Sequence, residues 1–205
     1  MSDSLMEYLP AAMLHLQRDK KLKKIITSVG DFAPRPVKQT EYFRVLSFSI
    51  ISQMLSLKAA ATIRDRLIDK VKPSKVTPES VLRLEHDDLR SIGLSNTKTA
   101  AMHDLARRSL SGELPLKLFP KMENDAITEH LVAVRGIGKW TTQMFLMFGL
   151  VRPDVWPIDD LGIRAAIKKM DGLKAMPDKA YMLTRGDSYA PYSTVASWYL
   201  WQSLK

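Results

Sequence analysis

Two short segments of the chain carry residue types that could do chemistry. The first is Gly136-Ile137-Gly138-Lys139-Trp140-Thr141, and the second, farther along, is Pro157-Ile158-Asp159-Asp160. Glycines permit a tight turn, and a lysine beside exposed backbone N–H groups suits the binding of a phosphate. A carboxylate in the second segment could stabilise developing positive charge or cap a helix. The two segments therefore predict an anion-binding turn and a separate acidic group.

The glycine segment lies between two stretches with helical apolar spacing, Thr128–Val134 and Thr141–Leu150. It is predicted to be a hairpin in which the N–H groups of Gly138, Lys139 and Trp140 begin the second helix, where partial positive charge favours a phosphate. A tight hairpin that merely packs two helices fits the same residues. A dinucleotide-binding loop is excluded, because no strand precedes the turn and the third glycine of that motif is missing.

The acidic segment admits two interpretations as well. Pro157 fixes an extended entry, and helical apolar spacing follows at Ile163–Met170. One aspartate could cap that helix while the other is solvated, or one could act in catalysis. From these residues alone both interpretations stay open.

Composition narrows the class of protein. The chain has 205 residues, is 45% hydrophobic and 26% charged, and contains no cysteine. These values fit one large domain or two small packed ones. A disulfide scaffold, a thiolate zinc site, a cysteine nucleophile and an iron–sulfur cluster are therefore excluded, and the four histidines lack metal-ligand spacing.

The charge balance indicates a partner. A formal net charge of +9 suits a polyanion, because phosphate neutralisation releases counterions. The basic run at residues 18–24 is interpreted as a solvated helix face. No apolar run is long enough to span a membrane, and no secretory pattern begins the chain, so we expect an intracellular protein, cytoplasmic in a prokaryote and nuclear in a eukaryote.

The fold predicted from periodicity is all-α. Sustained strand alternation is absent, and apolar residues recur at three-and-four spacing. Besides the segments above, this spacing covers Leu5–Leu16, Phe43–Ile51, Ala59–Val71, Lys98–Leu110 and Val195–Leu204. Helix starts are predicted at Thr77-Pro78, at Ser95-Asn96 and at Asn124-Asp125.

Taken together, the Gly-Ile-Gly-Lys-Trp-Thr hairpin and the Pro-Ile-Asp-Asp-Leu segment resemble the helix-hairpin-helix superfamily of DNA glycosylases. Within it the chain is similar to the alkylpurine branch, 3-methyladenine DNA glycosylase II of the AlkA and yeast Mag type, in its compact form. Three further stretches carry this resemblance. They are Phe43–Ala60 with its Gln-Met-Leu-Ser, Leu89–Lys98 with its Gly-Leu-Ser-Asn-Thr-Lys, and Ala190–Trp201.

The resemblance implies two packed helical lobes with an active-site cleft between them. It places a helix-hairpin-helix lobe at about residues 41–150 and a second helical lobe at about 1–40 plus 151–205. The implied activity is hydrolysis of the N-glycosidic bond of alkylated purines of the 3-methyladenine and 7-methylguanine class, by base flipping in double-stranded DNA. We expect a monomer with no membrane association.

The resemblance also implies roles for individual residues. Asp160 is the catalytic carboxylate, while Asp159 caps the helix or supports its neighbour. Trp140 and Tyr192 line the base pocket. Members that also cleave the strand carry a lysine where this chain has Trp140, so the enzyme is expected to be monofunctional and to use water. DNA-binding residues are expected throughout the hairpin, at Gly136, Ile137, Gly138, Lys139 and Thr141.

A wedge that fills the gap left by a flipped nucleotide is implied at Gln53, Met54, Leu55 and Ser56, with Met54 or Leu55 as the apolar plug. An ordinary interhelical turn is the alternative there. This segment departs from the family at Met54, where a second glutamine is common, and at Ser56, which can be bulkier in active relatives. The departure puts substrate range and turnover in doubt.

No cofactor is expected apart from a monovalent cation, Na⁺ or K⁺, bound near the carbonyls of Val132, Val134 and Ile137 in the presence of DNA. Two other functions compete with the enzyme. One is a protein of the same fold that binds abasic or damaged DNA without excision, although it would have less need of Asp160. The other is a helical protein–protein adaptor, which leaves the basic charge and the ordered motifs unexplained. Trp198, Tyr199 and Trp201 are interpreted as core or surface residues of the last helix.

Overall fold

The computed structural model describes residues 3–32 and 37–205, and this part of the chain is helical without strands. The all-α prediction is confirmed. The helices, in chain order, are α1 (Asp3–Leu16), α2 (Lys20–Val29), α3 (Tyr42–Ser52), α4 (Leu57–Val71), α5 (Pro78–Leu82), α6 (His86–Ser91), α7 (Asn96–Ser111), α8 (Asn124–Val132), α9 (Lys139–Met144), α10 (Leu161–Asp171), α11 (Lys179–Tyr189) and α12 (Ser193–Gln202). Across the described ranges, none of these helices is long and apolar enough to cross a membrane.

Contacts divide the chain into two compact units. The central unit is Val37–Phe145, and the terminal unit joins α1 and α2 with Leu146–Lys205. The lobe boundaries inferred from the sequence, near residues 41 and 150, stay a prediction.

In the central unit, α7 packs against α3, α5 and α6, and α3 also packs against α4. Its core is aliphatic at most positions, with Leu46, Ile50, Leu67, Met102 and Leu105 shielded from solvent. Removal of this apolar surface from water is the main stabilising contribution. The central unit includes the end of α3, the start of α4 and the start of α9, where the predicted wedge and hairpin residues lie.

In the terminal unit, α12 packs against α2, α10 and α11. The buried core includes Leu22, Ile163, Ile167, Tyr189 and Tyr199. This core supports the N-terminus of α10, where the acidic segment ends.

Helix starts follow local capping chemistry. The side chains of Thr77 and Ser95 accept hydrogen bonds from the N–H groups of Ser80 and Lys98, both at 3.2 Å, so these predicted starts are confirmed. Helix α8 begins at Asn124 as predicted, but the capping role expected there is wrong, because Asn124 is already helical and Glu123 precedes α8 without a side-chain cap bond.

Helices α2 and α11 lie outside the segments that apolar spacing predicted, and α11 shows one reason. Only Met182, Gly186 and Tyr189 are buried along α11, and the glycine interrupts its apolar face. A Cβ on Gly186 would lie 2.5 Å from Cδ1 of Trp156, so the packed indole leaves no room for a side chain there. Because few residues of α11 are buried and a glycine takes one of the buried positions, apolar spacing does not predict this helix.

Candidate active site

The predicted hairpin is present in the central unit. Helix α8 ends at Val132, a tight turn follows, and α9 begins at Lys139. Ile137 donates its N–H to the carbonyl of Val134 at 3.1 Å, which closes the turn. As predicted, the second helix of the hairpin begins within the glycine segment, with Gly138 as the N-cap of α9, and α9 passes into a π-helical turn at Phe145–Gly149.

The two glycines of the hairpin have different structural roles. Gly136 has a φ of +77°, and a Cβ on it would lie 3.0 Å from Cβ of Ala101, so both conformation and space favour glycine. Gly138 has a φ of −98°, which any residue can adopt, and a Cβ there would meet nothing within 4 Å. Gly138 therefore leaves open space in front of the helix start, where another molecule can approach the backbone.

The start of α9 has the character expected of an anion site. Gly138 is the N-cap and has no side chain to occupy the first N–H groups of the helix. Lys139 and Trp140 follow, and both are exposed. Ile137 and Thr141 are instead buried, so their side chains are largely shielded from a ligand, and the DNA contacts expected at these two positions stay a prediction.

A carboxylate that the sequence did not reveal braces the hairpin. Oδ2 of Asp104, on α7, accepts the N–H of Arg135 at 2.9 Å, and Arg107 and Arg108 donate to the same carboxylate. Burial acts to raise the pKa of Asp104, but these hydrogen bonds outweigh it and hold the pKa below its usual value. The turn is thus tied to the core helix α7.

The predicted wedge residues form the connection between α3 and α4. Met54 is fully exposed and has a φ of +55°, a left-handed conformation that is unusual for a side chain of this size. Leu55 is also exposed, and the Oγ of Ser56 caps α4 by accepting the N–H of Ala59 at 3.2 Å. The connection therefore projects an apolar side chain outward from a strained backbone.

Hydrogen bonds join the wedge to the hairpin. Nε2 of Gln53 donates to the carbonyl of Gly136 at 2.9 Å and to Oγ1 of Thr141 at 3.3 Å. On α7, Nζ of Lys98 donates to the carbonyls of Ile51 and Gln53, both at 2.7 Å. None of these four hydrogen bonds was foreseen from the sequence, which identifies the segments but not their hydrogen-bond partners.

A largely apolar cavity of about 830 Å³ lies in the central unit beside these loops. The residues lining it come from α3, the wedge, α4, the hairpin and α9: Val45, Phe48, Ser49, Ser52, Gln53, Met54, Arg64, Gly136, Gly138, Trp140, Thr141 and Met144. Trp140, at the edge of the cavity, is half-exposed. The guanidinium of Arg64 lies 5.8 Å from the ring centroid of Phe48. A flat aromatic ring and a cation can therefore meet a ligand here.

Asp160, in the terminal unit, is 8% exposed and is the N-cap of α10. Its Oδ1 accepts two hydrogen bonds, from the N–H of Ile163 at 2.8 Å and from Nε1 of Trp201 at 2.9 Å. The expectation that Asp159 caps this helix is wrong, because Asp159 is exposed and Asp160 performs that role. A fixed, buried carboxylate of this kind is suited to electrostatic stabilisation of positive charge.

Trp201 is a residue whose role sequence reasoning missed. Its indole N–H orients Asp160, and Gly162 leaves room for the ring, since a Cβ at that position would lie 2.9 Å from Nε1. Tyr199 is buried in the core and Trp198 packs against Phe32, as the interpretation of this helix proposed. Only spacing within α12 was visible in the sequence, and spacing does not identify a hydrogen-bond partner.

Tyr192 precedes α12 in the terminal unit. Its ring stacks on Tyr8 with a centroid separation of 6.3 Å and meets His15 edge-on at 5.7 Å. Burial raises the pKa of Tyr8 to about 12. These contacts fit packing at a helix start, and the assignment of Tyr192 to a base pocket stays a prediction.

Residues 3–32 and 37–205 contain no group of three or more His, Asp or Glu side chains that could hold a metal ion. The predicted cation site uses backbone oxygens instead. Val132 is the last residue of α8, and the carbonyl of Val134 accepts one hydrogen bond, which leaves a lone pair on that oxygen. The turn thus retains oxygen ligands of the kind that a monovalent cation accepts.

The comparisons with known proteins agree with one another. Residues 48–190 match the model of the HhH-GPD superfamily of base excision DNA repair proteins. The chain is 32% identical to DNA-3-methyladenine glycosylase 1 of Schizosaccharomyces pombe, over 99% of this chain and 91% of that protein. The helical hairpin and the buried aspartate that caps α10 thus occur in a chain that is similar to DNA repair proteins.

Solved structures give the same result. A 3-methyladenine DNA glycosylase of Schizosaccharomyces pombe in complex with abasic DNA matches with a TM-score of 0.84 and 32% identity, covering 94% of this chain and 96% of that one. A DNA-3-methyladenine glycosidase of Bacillus halodurans matches with a TM-score of 0.81 and 32% identity, covering 92% and 86%. The chain belongs to the HhH-GPD superfamily of base excision DNA repair proteins.

Proposed function

We propose that this protein is a monofunctional DNA glycosylase that removes alkylated purines of the 3-methyladenine class in base excision repair. The observation that carries the proposal is the buried carboxylate of Asp160, oriented by two hydrogen bonds at the start of α10. The near full-length likeness to glycosylases named for 3-methyladenine supports the substrate class.

The chemistry needs little more than this carboxylate. Cleavage of an N-glycosidic bond builds positive charge on the sugar, and a fixed carboxylate stabilises that charge. Alkylation at N3 or N7 makes the purine cationic and hence a good leaving group, so a strong general acid is not required. Water then completes the hydrolysis and leaves an abasic site.

Trp140 supports the monofunctional assignment. It occupies the position where strand-cleaving relatives carry the nucleophilic lysine, and Lys139 lies one residue earlier at the exposed helix start. An indole cannot form the covalent imine that strand cleavage by such enzymes requires. We assign Trp140 and Tyr192 to contacts with the cationic purine, which aromatic faces bind well.

The hairpin and the wedge supply binding and base flipping. Exposed N–H groups at the start of α9, with Lys139 beside them, are suited to a DNA phosphate. Met54 projects fully into solvent, and an apolar side chain of this kind can fill the space of a flipped nucleotide. Unstacking a base costs a few kcal/mol, and the inserted side chain offsets part of that cost.

A monovalent cation at the hairpin is part of the proposal. Carbonyls near Val132, Val134 and Ile137 would hold Na⁺ or K⁺, which supplies positive charge next to a DNA phosphate. DNA affinity should then fall when KCl is replaced by tetramethylammonium chloride at equal ionic strength, because that ion is too large for carbonyl ligands. Equal affinity in both salts would contradict this cation site.

The decisive experiment measures release of free base from duplex DNA that carries 7-methylguanine. Asp160→Asn should lower the single-turnover rate by about 100- to 1,000-fold, the order found when one preorganised electrostatic group is removed. Asparagine caps helices as well as aspartate does, so the fold should persist. Asp178→Asn is the matched control, because Asp178 caps α11 by accepting the N–H of Tyr181 at 2.8 Å.

The product defines the enzyme class. Strands should stay intact until alkali is added, and borohydride should trap no covalent complex. If the wild type releases no more base than Asp160→Asn while still binding abasic DNA, the protein is a damage-binding protein rather than an enzyme.

A further inference from the structure

Lys98 occupies an unusual position for a cation. It lies in the first turn of α7, partly buried, and burial lowers the pKa of its ammonium group. Nζ donates to the carbonyls of Ile51 and Gln53, both at 2.7 Å. These oxygens belong to the C-terminal end of α3 and to its C-cap residue.

Two effects oppose a positive charge at this place. Partial burial removes water from the ammonium, and the N-terminus of α7 carries partial positive charge of its own. The C-terminus of α3 has the opposite polarity, and its last carbonyls lack intrahelical partners. The two carbonyl contacts therefore compensate for the unfavourable setting, and the ammonium in turn fixes the orientation of those carbonyls.

The fixed carbonyl of Gln53 belongs to the peptide that leads into Met54. The side chain of Gln53 is itself held by the carbonyl of Gly136 and the hydroxyl of Thr141. Gln53 is thus fixed at both its backbone and its side chain. Met54 follows at once with a φ of +55° and its side chain fully exposed. A left-handed conformation persists only where the surroundings impose it.

We propose that Lys98 is a positioning residue for base flipping: it acts through Met54, by holding the peptide that presents the wedge. The inference rests on the proposed function. Lys98 should therefore affect only those substrates in which a base must be displaced from a paired stack. Lys98 has no part in the bond-breaking step at the sugar.

The test compares two DNA substrates under single-turnover conditions. One carries 7-methylguanine paired in a duplex, and the other carries it unpaired in a one-nucleotide bulge, where flipping costs less. Lys98→Met should lower the rate on the paired lesion by up to about tenfold, which is no more than the loss of the wedge itself would cost. The rate on the bulged lesion should change by less than about threefold, and Lys98→Arg should restore part of the paired rate because it keeps a cationic donor.

The matched control is Lys75→Met, which removes the same charge from an exposed lysine outside the site. A double-mutant cycle with Met54→Ala gives a second, independent readout. If Lys98 acts only through the wedge, Lys98→Met should have little further effect once Met54 is alanine. Thermal unfolding of each variant separates a global loss of structure from a local one.

Three outcomes overturn the inference: an unchanged paired rate in Lys98→Met, an equal loss on both substrates, or additive effects of the two substitutions. Failure of the proposed function looks different, because the wild type would then release no base from either substrate. An active wild type with an insensitive Lys98→Met refutes the positioning role alone.

Discussion

Met54 in the central unit is 100% exposed, whereas Asp160 in the terminal unit is 8% exposed. An apolar side chain stands in water and a carboxylate is buried, the reverse of the usual preference of both residue types. The supporting contacts also differ. The hydrogen bonds that support Met54 are made by the backbone and side chain of its neighbour Gln53. Those that support Asp160 are made to its own carboxylate oxygen.

The difference follows from what each side chain can accept. A thioether makes only weak hydrogen bonds, so its direction must be imposed through the backbone that carries it. A carboxylate accepts strong hydrogen bonds, so its donors orient it directly. We therefore expect substitutions in the wedge to change activity and stability differently, and complete loss of the Asp160 side chain to lower both.

The largest effect that tests this contrast is expected at Trp201. Trp201→Phe keeps most of the ring but removes the N–H that Asp160 accepts, so Oδ1 of the carboxylate loses one of its donors. The excision rate should fall by about 10- to 100-fold, since small displacements of catalytic groups are costly. Trp198→Phe is the control on the same helix, because Trp198 contacts Phe32 and Tyr199 through its rings. Equal excision rates for the two variants would show that the Trp201 N–H does not position Asp160.

Alanine substitutions at the two hairpin glycines should lower the free energy of unfolding by different amounts. Gly136→Ala forces a side chain into a positive φ and into contact with Ala101, and should lower the free energy of unfolding by about 1–2 kcal/mol. Gly138→Ala meets no neighbour, and should cost less than about 1 kcal/mol while weakening DNA binding at the helix start. Urea denaturation and a DNA-binding titration of both variants measure this difference. Equal losses of stability would contradict the division of roles.

Met54→Gly should change stability and activity in opposite directions. Glycine relieves the left-handed strain, and the net gain in unfolding free energy should be about 0.5–1 kcal/mol after the entropy of the unfolded chain is counted. The excision rate on paired DNA should fall by about tenfold, because the wedge is lost. Asp160→Ala is the contrasting variant: it removes both the carboxylate and a helix cap, so stability and activity should both decrease.

Sequence reasoning reached what local residue types determine. The hairpin turn, the caps at Thr77 and Ser95 and the helical class were predictable, because each depends on residues that are close in the chain. The hydrogen bonds that hold the site were not. Trp201 and Asp160 are 41 residues apart, Lys98 and Gln53 are 45 apart, and Asp104 and Arg135 are 31 apart. Their pairing depends on helix packing, which leaves no mark on the residues themselves.

A small effect that depends on pH is expected at Asp104, whose carboxylate braces the hairpin through the N–H of Arg135. Because its pKa in the folded protein lies below the ordinary value, its contribution is full above the unfolded pKa, about 3.9, and is lost as the pH falls through the folded pKa. Asp104→Asn should therefore cost about 1 kcal/mol at neutral pH.

The difference between wild type and Asp104→Asn should shrink progressively below about pH 4, since the wild-type carboxylate then takes up its proton. Urea unfolding of both proteins from pH 7 down to pH 3 measures this convergence. A constant difference across the range would mean that the side chain acts by packing rather than by charge. Convergence would instead show that the hairpin, like Met54, is held from outside by a group on α7, in contrast to Asp160, whose own oxygen accepts the bonds that fix it.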